Sequence, residues 1–254
     1  MQDKKADFSH VSELYKTARP TYSEKYLDSI PKGLNIAEFG AGTGKLTSQI
    51  LEEREPNLLI AVEPNLDMSK NLYNLTRTFQ SLKVINDSAE NAKLEKDSVD
   101  RIIVAQAFHW FDWQKFLDKT RYILKDDGKV NLVWNRRGDS IVNNECRLLF
   151  EKYCPDFKGF GGGIWNNLQP LENFFQETGY KMTEYENPLI YRKNDFINRN
   201  LTGSYIPVKD KKEYLLIKEG LEEIFNKYAD DNGQIVMDNT TVVYENIKSF
   251  KEVK

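Results

Sequence analysis

The chain has 254 residues, with 36 lysine and arginine residues against 39 aspartate and glutamate residues and a formal net charge of −3. This near balance, without a long basic run, argues against nucleic acid or an anionic membrane as a partner. No secretory signal opens the chain and no apolar run approaches the ~20 residues of a membrane span, so we expect a cytoplasmic protein.

Two short helices are predicted before the first strand. Apolar side chains recur at helical spacing up to Arg19-Pro20, and Tyr22, Tyr26 and Ile30 then repeat at intervals of four. On spacing alone, these helices are expected to cover one edge of the sheet that follows.

The segment Ile36–Leu46 reads as a strand, a tight turn and the start of a helix. Glycine occupies every second position of the turn, at Gly40, Gly42 and Gly44, which lets the backbone approach a ligand closely. The unpaired N–H groups at the start of the helix suit an anion. A second apolar run, Leu58–Glu63, ends in an acid of the kind that accepts hydrogen bonds from a ribose.

Two nucleotide-binding patterns compete for this stretch. The dinucleotide fingerprint G-x-G-x-x-G requires glycine where this chain has Lys45. The observed spacing, E-x-G-x-G-x-G from Glu38 to Gly44, resembles motif I of the class I S-adenosylmethionine-dependent methyltransferases. A glycine-rich turn of another α/β protein is the alternative that context must exclude. The resemblance makes the loop a cofactor site formed by Gly40, Ala41, Gly42, Thr43 and Gly44.

Strands and helices then alternate regularly. Apolar runs that do not alternate with polar residues are typical of parallel strands covered on both faces, and ligands bind outside the carboxyl ends of such strands. The family resemblance implies an α/β fold with a doubly wound, seven-stranded, mostly parallel, Rossmann-like sheet that ends in antiparallel strands. The predicted strands are Leu34–Phe39, Leu58–Glu63, Leu82–Asn86, Asp100–Ala105, Lys129–Asn135, Tyr180–Tyr191 and Gln234–Ile247.

Residues after the second and third strands are the next cofactor candidates. Glu63 suits the ribose diol, Pro64 follows it, and Asn65 and Met68 are placed to flank the adenine. The run Asp87-Ser88-Ala89-Glu90 resembles the third motif of the family. The usual adenine-binding acid aligns with Ser88, and Asp87 lies one place earlier, so either side chain is a candidate acceptor.

The residues after the fourth strand are the candidates for the reaction centre. The family resemblance places Gln106, Ala107 and Phe108 near the transferable methyl group, followed by His109 and Trp110. This run resembles the small-molecule branch that includes the trans-aconitate methyltransferase-like proteins. His109 is the candidate catalytic residue, either as a base or only as a group that orients the acceptor.

The remaining candidates concern the acceptor. Arg136 and Arg137 follow the fifth strand, where a guanidinium can bind an anion, and Trp165 ends a glycine-rich loop. The family resemblance implies a methyltransferase domain over 34–254, with a helical substrate cap inserted at about 193–232 that contributes Tyr205. It also makes residues 1–33 a lid, with Tyr15 and Arg19 at the cofactor and Tyr22 at the substrate.

We therefore expect S-adenosyl-L-methionine as cofactor and methyl transfer to a small-molecule acceptor, with a carboxylate-bearing acceptor favoured by the two arginines. No metal dependence is expected, because the sequence lacks a metal-ligand cluster. The alternatives are a cofactor-binding module of the same fold without catalysis, and a nicotinamide-dependent oxidoreductase, which the glycine spacing disfavours.

Overall fold

The computed structural model describes residues 20–160, 163–203 and 205–251. The chain divides into two compact units, and each is treated separately. The sheet unit contains residues 21–136, 161–187 and the C-terminal segment from residue 240, and the helical unit contains residues 137–160 and 188–239.

The sheet unit is built on a sheet of seven strands among the described residues, and its order is β3-β2-β1-β4-β5-β9-β6. Neighbours among β1 to β5 run parallel, whereas β6 runs antiparallel to β9. This is the predicted doubly wound, mostly parallel sheet. The strands are β1 Asn35–Phe39, β2 Leu58–Val62, β3 Leu82–Ile85, β4 Val99–Ala105, β5 Leu124–Arg137, β6 Tyr180–Glu186 and β9 Asn239–Asn246.

Helices cover both faces of this sheet. The central strand β4 is almost entirely buried, as expected when apolar residues face helices on each side. Asn65 and Asp112 begin two of these helices by accepting backbone N–H bonds with their side chains, as N-cap residues do. The helices of the sheet unit are α1 Glu24–Asp28, α2 Lys45–Arg54, α3 Leu66–Leu75, α4 Trp113–Ile123 and α6 Gln169–Phe174.

The helical unit has a hydrophobic core of its own. It contains α5 Ile141–Tyr153, α7 Lys193–Leu201 and α8 Lys212–Tyr228, together with the short strands β7 Leu189–Arg192 and β8 Gln234–Met237, which pair antiparallel. The inward faces of these helices form one buried cluster, which includes Phe150, Phe196 and Leu221. The predicted insertion at about 193–232 lies within this unit.

Two predicted strands were wrong in extent. The run Tyr180–Tyr191 is divided into β6 and β7, and Gln234–Ile247 is divided into β8 and β9, so each run contributes one strand to each unit. Pro188 stands at the first break, where it has no N–H to donate to a continuing ladder. Of the two predicted N-terminal helices, α1 is the second, and the first lies outside the described residues.

Candidate functional site

The loop between β1 and α2 is held against the ends of two neighbouring strands. The N–H groups of Gly40 and Ala41 both donate to the carbonyl of Val62, at 2.8 and 3.1 Å. Gly40 has φ +70°, and a Cβ atom there would lie less than 3.0 Å from Cβ of Ala107. Glycine is therefore required at position 40 for two reasons: the backbone there is left-handed, and Ala107 after β4 approaches too closely for a side chain.

Glu63 is the buried carboxylate beside this loop. One of its oxygens accepts the N–H of Gly42 at 2.8 Å, and the other accepts the N–H of Asn65 at 2.9 Å. Burial raises the pKa of Glu63, while these two backbone hydrogen bonds oppose that shift. Two of the roughly four acceptor positions of the carboxylate are used, so it is oriented and can still accept ribose hydroxyls.

Glu38 lies in β1 and is buried, with 2% of its surface exposed. Its carboxyl accepts a hydrogen bond from the hydroxyl of Thr47 at 2.7 Å. Desolvation raises the pKa of Glu38 to about 8, and the charge of Glu63 adds to the shift while the Thr47 bond opposes it. The carboxyl of Glu38 is therefore neutral at pH 7, and it lies in the strand that leads into the glycine loop.

The start of α3 forms the next wall of the candidate cofactor site. Pro64 is exposed, Asn65 is half-buried with its side-chain oxygen on the N–H groups of Asp67 and Met68, and Met68 is buried. Asn71 on the same helix donates to the carbonyl of Thr43 at 3.0 Å, which ties α3 to the glycine loop.

The run after β3 is folded back on itself. The carboxylate of Asp87 accepts the N–H of Ser88 at 2.8 Å, and the hydroxyl of Ser88 accepts the N–H of Asn91 at 3.3 Å. Ala89 is buried, and Glu90 accepts the N–H of Asp112 at 2.9 Å. Asp87 and Ser88 keep acceptor capacity, whereas Glu90 serves to hold the loop that precedes α4.

The chain leaving β4 is strained at Gln106. This residue has φ +59°, a conformation that costs a residue with a side chain about 1–2 kcal/mol. Its side-chain amide donates to the carbonyl of Asn135 at 3.4 Å. Ala107 is half-buried beside the glycine loop, whereas the side chain of Phe108 is buried in the core and packs against Phe174.

His109 and Trp110 follow in a 3₁₀ turn that spans Phe108–Trp110. His109 is half-buried, and its Nδ1 atom is buried without a hydrogen-bond partner among the described residues. Burial lowers the pKa of His109, so the imidazole is neutral at pH 7. Trp110 is 59% exposed, and its ring centroid lies 4.8 Å from that of His109.

Arg136, one of the two arginines predicted at the acceptor, is paired within the protein. Its Nη2 atom lies 2.8 Å from both carboxylate oxygens of Glu184, so its charge already has a partner. Its guanidinium also lies 5.5 Å from the ring centre of Trp165, which packs against Trp134 and Tyr244. Trp165 therefore belongs to an aromatic cluster of the sheet unit.

Arg137 has a different environment, within the helical unit. Its guanidinium donates to the side-chain oxygen of Asn200 at 2.9 Å and lies 4.1 Å from the ring centre of Phe160. It forms no ion pair with a carboxylate of the described residues. Tyr205 packs against Phe157 with ring centroids 4.7 Å apart, and its pKa is raised by burial although the charge of Arg137 lowers it.

The predicted lid residues divide into two groups. Tyr15 and Arg19 lie outside the described residues. Tyr22 is 8% exposed in the core cluster below α2, where its backbone N–H and carbonyl both bond to Gln49. Burial suits the large apolar ring of a tyrosine, and a contact of Tyr22 with the substrate stays a prediction.

Two polar residues at strand ends were missed. The side-chain amide of Asn86, after β3, donates to the carbonyl of Glu63 and to the hydroxyl of Ser69. Asn135, near the end of β5, bonds to Thr21 and Thr241. Asn86 lies directly after β3, a position that could have identified it from the sequence, whereas Asn135 lies within β5 and is distinguished by partners that are distant in the chain.

The residues at this edge fit an S-adenosylmethionine cofactor. The glycine turn exposes backbone without side chains at Gly40 and Gly42, both with positive φ, and Glu63 presents an oriented, buried carboxylate. Within the described ranges we find no cluster of histidine, cysteine or acidic residues suited to a metal, and no helix apolar and long enough to cross a membrane.

Comparison with known proteins agrees with this chemistry. Residues 37–132 match the type 11 methyltransferase-domain family. An uncharacterised methyltransferase of Schizosaccharomyces pombe is 31% identical over 251 residues, which cover 92% of this chain and 94% of the relative. A structure from Anaeromyxobacter dehalogenans, proposed to be a type II methyltransferase, is 18% identical with a TM-score of 0.66, covering 91% of this chain and 98% of the other.

Proposed function

The chain belongs to the class I S-adenosylmethionine-dependent methyltransferases, and from that premise we propose that it methylates a small molecule that carries a carboxylate. The cofactor, when bound, supplies an electrophilic methyl group on a positively charged sulfur. The nicotinamide alternative is not favoured, since the family match and the similar proteins are methyltransferases.

The observation that carries the acceptor proposal is the contrast between Arg136 and Arg137. Glu184 neutralises Arg136, whereas the half-buried Arg137 is held by the neutral groups of Asn200 and Phe160. A guanidinium presented in this way can bind a carboxylate through two parallel hydrogen bonds.

The residues of the sheet unit then have separate tasks. The glycine loop and Glu63 hold the cofactor, and Gln106 with Ala107 borders the position of the reacting methyl group. A carboxylate acceptor is ionised at pH 7 and requires no base, so His109 orients it. For a hydroxyl or amine on the same molecule, neutral His109 would instead remove the proton.

The test is incubation of the protein with methyl-labelled cofactor and a metabolite pool. A methyl ester releases its label as volatile methanol in alkali, whereas a methyl ether or methylated amine retains it. We expect base-labile label in a product that has lost one negative charge. Absence of transfer would leave only a binding module, and label on a neutral acceptor would refute the carboxylate.

The arginines provide a matched pair of variants. Arg137→Gln should raise the KM for the acceptor at least tenfold, because the charge-assisted pair between this half-buried guanidinium and the acceptor carboxylate is lost. Arg136→Gln should change it little, since Arg136 is paired within the protein. The reverse order, or full activity of both variants, would contradict the assignment of Arg137.

A further inference from the structure

Gln106 occupies a conformation that glycine would adopt without cost. Its φ of +59° follows directly after β4, at the point where the chain turns toward His109. A non-glycine residue persists in such a conformation only when its surroundings hold it there. We therefore expect the Gln106 side chain to make an interaction that offsets this conformational cost.

The side-chain amide of Gln106 donates a long hydrogen bond to the main-chain carbonyl of Asn135, with 3.4 Å between nitrogen and oxygen. The backbone N–H of Gln106 also donates to the carbonyl of Val133, which lies in β5 with Asn135, at 2.9 Å. The turn that Gln106 begins places Ala107 against Gly40 so closely that no Cβ atom fits on that glycine. Through Gln106, the position of the Asn135 carbonyl therefore affects how closely Ala107 packs against Gly40.

Asn135 is itself fixed by three segments that are distant in sequence. Its amide nitrogen donates to the carbonyl of Thr21 at 3.0 Å, and its oxygen accepts the hydroxyl of Thr241 at 2.7 Å. Asn187 donates to the same oxygen at 3.3 Å and to the Thr21 carbonyl at 2.8 Å. Because donors and acceptors are matched around one amide, its orientation is strongly determined.

We propose that Asn135 is a positioning residue for cofactor binding, which acts through Gln106 on the turn after β4. It need not touch the cofactor or the acceptor. Its side chain fixes the end of β5, its carbonyl holds Gln106, and Gln106 in turn seats Ala107 against Gly40. The proposal depends on cofactor binding alone and is independent of the carboxylate acceptor.

The test is a double-mutant cycle read out as affinity for S-adenosylhomocysteine by calorimetry. Asn135→Asp replaces the donor to Thr21 by an acceptor and should weaken binding about tenfold, the scale of one hydrogen bond. Gln106→Gly should also weaken binding while leaving the melting temperature unchanged or higher, because glycine tolerates the conformation. Adding Asn135→Asp to Gln106→Gly should produce no further loss.

Asn246→Asp is the matched control, since the side chain of Asn246 also bonds to the main chain of β5, at Val130 and Gly128, far from the turn after β4. It should lower the melting temperature without affecting affinity. If Asn135→Asp does not fold, Asn187→Ala removes one bond to the same amide and takes its place in the cycle. Additive losses, unchanged affinity in the folded variant, or an equal loss in the control would each overturn the proposal.

Discussion

Replacing Glu38 by glutamine should stabilise the protein without cofactor in a pH-dependent manner. The glutamine oxygen can still accept the hydroxyl of Thr47, which lies 2.7 Å from the carboxyl, so the local hydrogen bond is retained. The substitution removes the ionisable group and leaves the shape of the side chain almost unchanged. The difference between the two proteins therefore isolates the effect of titration.

The magnitude follows from the pKa of Glu38, which burial raises from 4.5 to about 8. Between these values the unfolded chain is ionised and the folded protein holds a proton, so the free energy of unfolding falls as pH rises, by about 1.4 kcal/mol per unit. At pH 7 the accumulated loss is roughly 3 kcal/mol. This loss of stability is absent below about pH 4 and no longer increases above the pKa that Glu38 has in the folded protein.

Urea denaturation from pH 4 to 8 measures this difference. Glu38→Gln and the wild type should be equally stable at the acid end and should separate progressively toward pH 7. Glu219→Gln, on the exposed face of α8, is the control and should show no such separation. Parallel curves for Glu38→Gln and the wild type would refute the idea that Glu38 is a neutral buried acid.

Two further predictions concern binding and turnover. Glu63→Ala should weaken S-adenosylhomocysteine binding by roughly 2–3 kcal/mol, and NAD should not compete; undiminished binding or tight NAD binding would contradict the ribose assignment. With a carboxylate acceptor, His109→Asn should reduce turnover modestly, and the rate should not rise through the histidine range. With a protic acceptor, it should lose roughly 10²–10⁴-fold. In that case the wild-type rate would increase with pH through a value below 6.5, since burial lowers the pKa of His109, and the variant would lack this dependence.

The core of the sheet unit is the part of the fold that the sequence predicts best. Parallel strands and the helices between them are determined by local apolar patterns, and Gly40 and Glu63 lie where the spacing placed them. The sequence predicts the strands less accurately where consecutive strands join different sheets. The residues around Pro188 favour extended structure on both sides, and only tertiary packing decides that β6 and β7 join different sheets.

Burial also separates residues that a sequence pattern groups together. Tyr22 is predicted as a lid residue from the family resemblance, and Phe108 and Trp110 are predicted from their position after the fourth strand. The first two are buried in the core and only Trp110 is exposed, because helix and turn geometry decide which side of the backbone each ring occupies. Asn135 was missed for the opposite reason, since its importance arises from partners more than fifty residues away.

The two arginines show why charge in a sequence does not by itself identify an anion site. Adjacent residues of a strand point to opposite faces, so Arg136 and Arg137 necessarily meet different neighbours. Arg136 meets Glu184, 48 residues later in the chain, and one guanidinium nitrogen contacts both carboxylate oxygens, so Arg136 has a counter-charge within the protein. Arg137 meets an amide and an aromatic ring, which hold a guanidinium in place without neutralising it. The difference between these two environments supports an anionic acceptor at Arg137, and the variants Arg136→Gln and Arg137→Gln test that difference directly.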